Sequence, residues 1–144
     1  MVAAIVRPAI AKDAEALGII GPAAYAETYA YLWDRPDAYT DQLRTFGQAA
    51  FGALLARPEA RVWISEVSGA AVGFLSMIVG SVDPIEHRSG GAELPRISIL
   101  GPAQRMGIGR LLLDAAITQA GIECLSHVWL DVMAYPNPFW RHCL

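Results

Sequence analysis

The chain has 144 residues, of which 54% are hydrophobic and 17% are charged, with a formal net charge of -3. This length predicts one domain, residues 1–144, which buries enough surface to fold without disulfides or a metal. The acidic balance, without a Lys/Arg cluster, argues against nucleic acid as a partner, and no apolar run approaches the ~20 residues that cross a membrane.

The first part of the sequence predicts one strand followed by helices. Ala3 to Arg7 is typical of a short opening strand, and Asp13 follows as an N-cap for a helix. The Gly21-Pro22 pair is expected to kink or end that helix, so that a second helical segment begins at Ala23. An apolar stripe then predicts a packing helix from Asp37 to about Ala56.

The middle of the sequence predicts a β-hairpin. Alternating side chains indicate a strand from Arg61 to Val67, and a turn at Ser68-Gly69 leads into a second strand from Ala70 to about Val79. The polar segment from Ser81 to Gly91 predicts a loop. A last strand is expected from Cys124 to Val132.

Between this loop and the last strand, the sequence predicts a strand, a turn and a helix. The strand is Arg96 to Leu100, the turn is Gly101 to Gly109, and the helix runs from Ile108 to Gly121, which is expected to adopt the left-handed conformation after a helix end. A helix start leaves four N–H groups unpaired and carries about half a positive charge, so the main chain can bind a phosphate there. Gly107 and Gly109 are expected to let the backbone approach such an anion closely, since a Cβ at either position would crowd it.

Three kinds of phosphate-binding turn can be compared with these residues. A dinucleotide fingerprint requires a third glycine where Leu112 stands, and a P-loop requires a lysine, which is absent. The pattern Gln104-x-x-Gly107-x-Gly109 resembles the acyl-CoA-binding turn of the GNAT superfamily of N-acetyltransferases. The alternative is that the two glycines only cap a helix in an unrelated α/β domain. Further segments that resemble the family, in the same order, are Glu93-Leu-x-Arg96-Ile, Arg110-Leu-Leu-Leu, Trp129-Leu-Asp-Val132 and Asn137-Pro138.

The resemblance implies an α/β fold with a mixed, mostly antiparallel central sheet and helices on both faces, in which the last helix and strands are shortened or missing. It implies acetyl-CoA as cosubstrate and no metal. In the family, the motif strand and the strand after it splay apart, and the pantetheine arm lies in the gap like a further strand. The residues expected to bind coenzyme A are Ser98, Ile99, Leu100, Gln104, Arg105, Met106, Gly107, Ile108, Gly109, Arg110 and Asn137.

The resemblance also implies direct attack of a primary amine, on a small molecule or a peptide N-terminus, without a covalent intermediate. Glu93 is the expected base, directly or through a water; the alternative is that Glu93 pairs with Arg96 on the surface. The amide of Ile99 or Leu100 would stabilise the oxyanion. Tyr135 is the candidate acid nearest to the family tyrosine, which has no clear counterpart here. The residues expected to line the acceptor pocket are Tyr25, Glu27, Thr28, Tyr29 and Trp33.

Two departures from the family pattern bear on this hypothesis. Gly101 replaces the proline three places before the signature glutamine, and the sequence after Asn137-Pro138 does not show the last helix and strands. The alternatives to an active enzyme are a catalytically impaired CoA-binding domain and a non-enzymatic interaction domain. An uncovered last strand predicts a homodimer with its interface at residues 124–144. Cys124 and Cys143 lack metal-ligand or redox spacing, which favours the cytoplasm.

Overall fold

The computed structural model of the protein describes residues 3–131. In these residues, a β-sheet lies between two layers of helices. The strands are β1 (Ala4–Pro8), β2 (Ala60–Val67), β3 (Ala70–Val79), β4 (Ala92–Ile99) and β5 (Val128–Trp129). The α-helices are α1 (Ala14–Tyr29), α2 (Pro36–Arg44), α3 (Gln48–Ala56) and α4 (Ile108–Ile122).

The sheet has the strand order β1-β2-β3-β4-β5. The first four strands are antiparallel to their neighbours, whereas β4 and β5 run parallel. Helices α1 and α3 pack on one face of the sheet and α4 packs on the other. The mixed, mostly antiparallel sheet with helices on both faces is therefore confirmed. The last helix and strands of the family pattern would fall outside the described residues.

Alternating side chains on β2 and β3 build a separate core on each face. Trp63 and Leu75 pack in the cluster that includes α4, while Ile64 and Phe74 pack in the cluster that includes α1 and α3. Burial of such a side chain stabilises the fold by about 1.5–3 kcal/mol. The two cores therefore fix α1 and α4 on opposite faces of the same sheet, both in contact with β4.

Two predicted helix boundaries were wrong. Helix α1 continues through Pro22 to Tyr29, so it does not end at Gly21-Pro22 and no second helix begins at Ala23; the kink expected there as the alternative stays a prediction. Gly21 lets the ring of Phe51 pack closely against this part of the helix, because an added Cβ would lie 2.8 Å from that ring. The single helix predicted over residues 37–56 is instead α2 and α3. Helix α2 ends at Arg44, and the hydroxyl of the next residue, Thr45, donates a hydrogen bond to the carbonyl of Gln42 at 2.6 Å.

The β-hairpin and the opening strand are confirmed, with β3 beginning and ending where the sequence predicts. Asp13 precedes α1 as expected, but its carboxylate makes no capping hydrogen bond to that helix. It accepts the N–H of Ile10 at 2.7 Å and pairs with Arg7 at 2.9 Å. The hydrogen bond from Arg7 lowers the pKa of Asp13, and the pair ties β1 to the start of α1.

The last predicted elements are shifted in the structure. Helix α4 begins at Ile108 as predicted, but it ends at Ile122, so Gly121 is helical, and Cys124 takes the left-handed conformation with φ +57°. In place of the strand predicted from Cys124 to Val132, the described residues contain only the two-residue β5. Most of the expected dimer interface lies outside residues 3–131, so the homodimer stays a prediction. The described helices are all too short or too polar to cross a membrane.

Candidate functional site

Strands β4 and β5 separate soon after they meet. They pair only at Ala92 with Val128 and at Glu93 with Trp129. Beyond Glu93, the β5-facing edge of β4 has no strand partner within residues 3–131 and borders a cavity of about 620 Å³. Residues 94–99 form one wall of this cavity, and side chains from α1, from the α2–α3 connection and from residues 130–131 form the others.

The main-chain groups of β4 divide between its two edges. The N–H of Leu100 donates to the carbonyl of Val72 at 2.8 Å. Because these groups alternate in direction along a strand, Ser98 also faces β3, whereas Ile97 and Ile99 face the open edge. The Leu100 amide is thus engaged within the sheet, which disfavours the oxyanion role predicted for it; the ligand contacts predicted for Ser98 and Leu100 stay predictions. A role for the Ile99 amide stays a prediction.

A β-bulge in β4 lies beside the cavity. Between the pairs Ser76–Arg96 and Ile78–Glu93, two residues of β4 lie opposite one residue of β3. Pro95 is one of the two, and a bulge is a position where a strand tolerates a proline. Arg96 and Glu93 are three residues apart, and strict alternation would place them on opposite faces. The bulge places both on the face that carries α1.

The turn between β4 and α4 has the backbone conformation that an anion cradle needs. Gly107 has φ +77°, a conformation that favours glycine, and an added Cβ would meet nothing within 4 Å. In the described part of the chain no side chain caps α4. The N–H of Leu111 donates to the carbonyl of Gly107 at 3.2 Å, which leaves the N–H groups of residues 108–110 at the open helix start.

Three further side chains of this turn are placed around the helix start. Gln104 donates its side-chain amide to the carbonyl of Ile99 at 3.2 Å, which ties the signature glutamine to the open edge of β4. Arg105 and Arg110 are exposed, and neither has a carboxylate partner among residues 3–131. The predicted turn residues are thus brought together, with N–H groups at the open helix start and two guanidinium groups that lack a carboxylate partner in the described part of the chain.

Four of the five residues predicted to line the acceptor pocket do line the cavity: Tyr25, Glu27, Thr28 and Tyr29. Trp33 does not line it. Its indole N–H donates to the hydroxyl of Tyr25 at 3.1 Å. Tyr25 in turn packs against Tyr29 and Phe46, with ring centres 5.0 and 4.8 Å away. Trp33 therefore supports the aromatic wall from behind.

Glu27 connects the acceptor side of the cavity to the end of β4. Its carboxylate Oε2 accepts the N–H of Gly101 at 2.7 Å. Gly101 stands where the family pattern has a proline, and a proline has no N–H to donate. This departure from the family pattern thus provides a contact between α1 and the turn. Asp131, which is exposed, is a second carboxylate on the cavity wall.

Of the predicted catalytic residues, Glu93 is described by the structure and Tyr135 is not. Glu93 lies at the last paired position of β4 and β5, where its carboxylate accepts the Ser81 hydroxyl at 3.0 Å; it is not on the cavity wall. The alternative pairing of Glu93 with Arg96 is wrong, because Arg96 donates to the carbonyl of Thr45 at 3.0 Å. Tyr135 and Asn137 lie outside the described residues.

Several cavity residues were not predicted from the sequence as site residues, among them Phe46, Arg96, Ile97 and Asp131. The alternation of strand positions could have identified Ile97, because it shares its edge with Ile99. The sequence predicts Phe46 on the packing stripe of a single long helix. The break between α2 and α3 instead brings Phe46 to the cavity wall.

The comparisons with known proteins agree with this architecture. The model of the acetyltransferase (GNAT) family matches residues 24–143. The PaiA N-acetyltransferase of Thermoplasma acidophilum, solved with coenzyme A, superposes with TM-score 0.83 at 15% identity, over 98% of this chain and 86% of that one. The ribosomal-protein-alanine N-acetyltransferase of Brucella melitensis biovar Abortus 2308 gives TM-score 0.66 at 18% identity, over 97% and 88%.

An aminoglycoside acetyltransferase from an uncultured soil metagenomic sample, solved with sisomicin, gives TM-score 0.71 at 14% identity, over 97% of this chain and 84% of that one. No curated protein sequence matches the chain. At such low identities the solved structures show the fold alone. The family model, however, covers most of the chain, and the protein therefore belongs to the GNAT family of acetyltransferases.

Proposed function

We propose that this protein transfers the acetyl group of acetyl-CoA to a primary amine by direct attack in a ternary complex. The observation that carries this proposal is the open edge of β4, which runs from the cavity to the uncapped start of α4. The unpaired main-chain groups of this edge can bind an extended ligand. Helix α1 forms a separate wall of the cavity, against which an acceptor can bind. The acceptor is a small-molecule amine or a peptide N-terminus.

The residues present fit coenzyme A at two parts of its length, the pyrophosphate and the pantetheine arm. The N–H groups of residues 108–110 would hold the pyrophosphate, with the guanidinium groups of Arg105 and Arg110 nearby. The outward N–H and carbonyl of Ile97, and the remaining lone pair of the Ile99 carbonyl, would meet the amides of pantetheine as a neighbouring strand does, which leaves the Ile99 N–H for the oxyanion. When bound, acetyl-CoA supplies the thioester that the amine attacks. The related PaiA structure, solved with coenzyme A, supports this assignment.

The cavity wall suits an acceptor with an amine. Glu27 and Asp131 supply negative charge, and the rings of Tyr25, Tyr29 and Phe46 can contact an ammonium group through their faces. Relatives named as acetyltransferases of aminoglycosides and of a ribosomal-protein alanine act on amines, which supports the same acceptor class.

The reaction needs a base for the ammonium proton and a donor for the oxyanion. We assign the base to Glu93, acting through a water, because it lies where β4 and β5 part and the bulge places it on the α1 face. The Ile99 amide is the proposed oxyanion donor. Tyr135 remains the proposed acid for the departing thiolate. Glu27 and Asp131, the two carboxylates on the cavity wall, are the alternative candidates for the base.

The proposal is tested by calorimetry with acetyl-CoA, followed by a panel of primary amines scored for release of the free CoA thiol. We expect saturable binding and amine-dependent thiol release. Binding without release by any amine would favour a catalytically impaired CoA-binding domain. The absence of binding would contradict the proposal and favour a non-enzymatic interaction domain.

A further inference from the structure

Arg96 is a half-buried arginine on the cavity wall to which acetyl transfer assigns no task. Its guanidinium carbon lies 4.0 Å from the ring centre of Phe46, and its Nη1 donates to the carbonyl of Thr45 at 3.0 Å. Both contacts come from the α2–α3 connection and hold the group in one orientation. A guanidinium has five N–H donors. Within residues 3–131, only the Thr45 carbonyl accepts from this one, so most donors remain for a ligand.

The ion pairs of the described residues set Arg96 apart from most other arginines. The arginines with a carboxylate oxygen within 4.0 Å are Arg7, Arg35, Arg44, Arg57, Arg61 and Arg88. Among residues 3–131, Arg96, Arg105 and Arg110 have none. Two of these three flank the turn that is proposed to bind phosphates. Arg96, the third of them, lies on the cavity wall, where an anionic group of a bound ligand could pair with it.

Within residues 3–131, the surroundings of Arg96 supply no carboxylate to balance its charge. Burial lowers the pKa of Arg96, because the loss of water disfavours the charged form. An arginine nevertheless stays charged in proteins, so the unpaired charge costs free energy until an anion binds. Glu27 and Asp131 line the same cavity, but neither lies within ion-pair distance of Arg96. The cavity wall thus carries a positive group, Arg96, at a distance from two negative groups, Glu27 and Asp131.

We infer that the acceptor carries a carboxylate as well as its amine, and that Arg96 binds this carboxylate, so that the substrate class is an amino acid or a similar small amino carboxylate. This inference rests on the proposed acetyl transfer. The planar fork of a guanidinium matches a carboxylate with two parallel hydrogen bonds, which fixes the position of the acceptor. Acceptors with only cationic groups, such as polyamines, would place a positive charge near Arg96 without gaining this contact.

The test compares amines that differ by one carboxylate: lysine with cadaverine, and tyrosine with tyramine. In the parent protein we expect kcat/KM to be higher for the member with the carboxylate. Arg96→Gln should lower kcat/KM for that member by about 10- to 100-fold, the size of one charge-assisted hydrogen bond, and leave the other member almost unchanged. Arg96→Lys keeps the charge but loses the fork, so it should give an intermediate value.

Arg57→Gln is the matched control, because it removes an exposed arginine paired with Glu59, away from the cavity wall. It should leave both members of each pair unchanged. Equal losses for both members in Arg96→Gln, or a parent preference for cadaverine and tyramine, would overturn the inference. If melting shows that Arg96→Gln is unfolded, the same comparison in Arg96→Lys decides.

A direct binding measurement separates this inference from the proposed reaction. If no amine releases the thiol, acetyl transfer fails, and calorimetry then measures lysine and cadaverine binding to the CoA-saturated parent and to Arg96→Lys. Binding of lysine alone, weakened in the variant, would support the carboxylate site without catalysis. Equal binding of both amines, or no binding of lysine, would overturn it. If CoA itself does not bind, the same measurement on the protein alone decides in the same way.

Discussion

The two edges of β4 have opposite tasks, although the same eight residues, Ala92–Ile99, form both. The edge that faces β3 is paired along the strand, with one bulge, and lies between the two cores. The edge that faces β5 is paired at two positions and then borders the cavity. Because N–H groups alternate along a strand, neighbouring residues serve different edges. Stability and ligand binding can therefore be separated by moving a substitution by one residue.

The first prediction uses proline to remove the N–H from one edge at a time. Ser98→Pro removes a donor to β3, so it should destabilise the fold by about 3 kcal/mol or more, because a buried carbonyl loses its partner and the ring clashes. Ile97→Pro removes a donor from the open edge. It should leave the fold largely intact but weaken acetyl-CoA binding by about 2- to 10-fold, which corresponds to one lost main-chain hydrogen bond.

Urea unfolding with and without acetyl-CoA measures both effects. The two edges would not be functionally distinct if Ile97→Pro were as unstable as Ser98→Pro. The open edge would have no part in binding if Ile97→Pro kept the parent affinity for acetyl-CoA.

The second prediction concerns the turn that continues the open edge. At a hundredfold excess over Kd, acetyl-CoA should stabilise the parent by about 2.7 kcal/mol. Gly107→Val should abolish this gain, because valine disfavours the φ of +77° and adds a side chain at the anion cradle. Gly69→Val is the control with the same strain, since Gly69 has φ +78° with open space around it, in the β2–β3 turn. It should be destabilised similarly yet keep the gain, as thermal melting would show. Binding by Gly107→Val at the parent affinity would place the cradle elsewhere.

The paired side of β4 was more predictable from sequence than the open side. The bounds of β3 and the start of α4 follow from local patterns, namely alternation and a glycine-bearing turn. These patterns depend on residues that are close in the chain. The clustering of Tyr25 and Glu27 with the turn came from the family resemblance, since no local rule joins segments so far apart.

The features that were not predictable depend on tertiary contacts. Alternation alone puts Glu93 and Arg96 on opposite faces, and the bulge that unites them is visible only in the register with β3. Likewise, the apolar stripe over residues 37–56 predicts one continuous helix, and it does not indicate the break between α2 and α3 that brings Phe46 to Arg96. Asp131 reaches the cavity because β4 and β5 diverge, which composition and periodicity do not specify.

The third prediction examines the point where the two strands part. Glu93→Gln should lower kcat by about 10²-fold, because the amide cannot accept the ammonium proton, with little effect on acetyl-CoA affinity. Glu27→Gln and Asp131→Asn, on the cavity wall, should mainly raise KM for the amine. The pH dependence of kcat/KM in the three variants provides the check. An unchanged pH–rate profile in Glu93→Gln, with the rising limb at low pH lost in either of the others, would transfer the role of base to that residue.

The fourth prediction, with the smallest expected effect, concerns the far end of the open edge. Gly101→Pro restores the family proline and removes the N–H that Glu27 accepts at 2.7 Å. The lost hydrogen bond costs about 1 kcal/mol, and the stiffer unfolded chain offsets a similar amount, so the free energy of unfolding should change little. Leu100, with φ -58° and ψ 141°, already has a conformation that suits a residue before proline.

The Glu27 carboxylate should nevertheless respond to this change, because it loses the contact that orients it on the cavity wall. We expect a few-fold higher KM for the amine and an unchanged Kd for acetyl-CoA. Gly101→Ala is the matched control: its Cβ would lie 3.0 Å from Oε2 of Glu27, as in the proline variant, but it keeps the N–H. If both variants raise KM equally, crowding by the Cβ explains the effect. If only the proline variant does so, the hydrogen bond from Gly101 orients the residue that faces the acceptor, and the open edge of β4 positions both substrates.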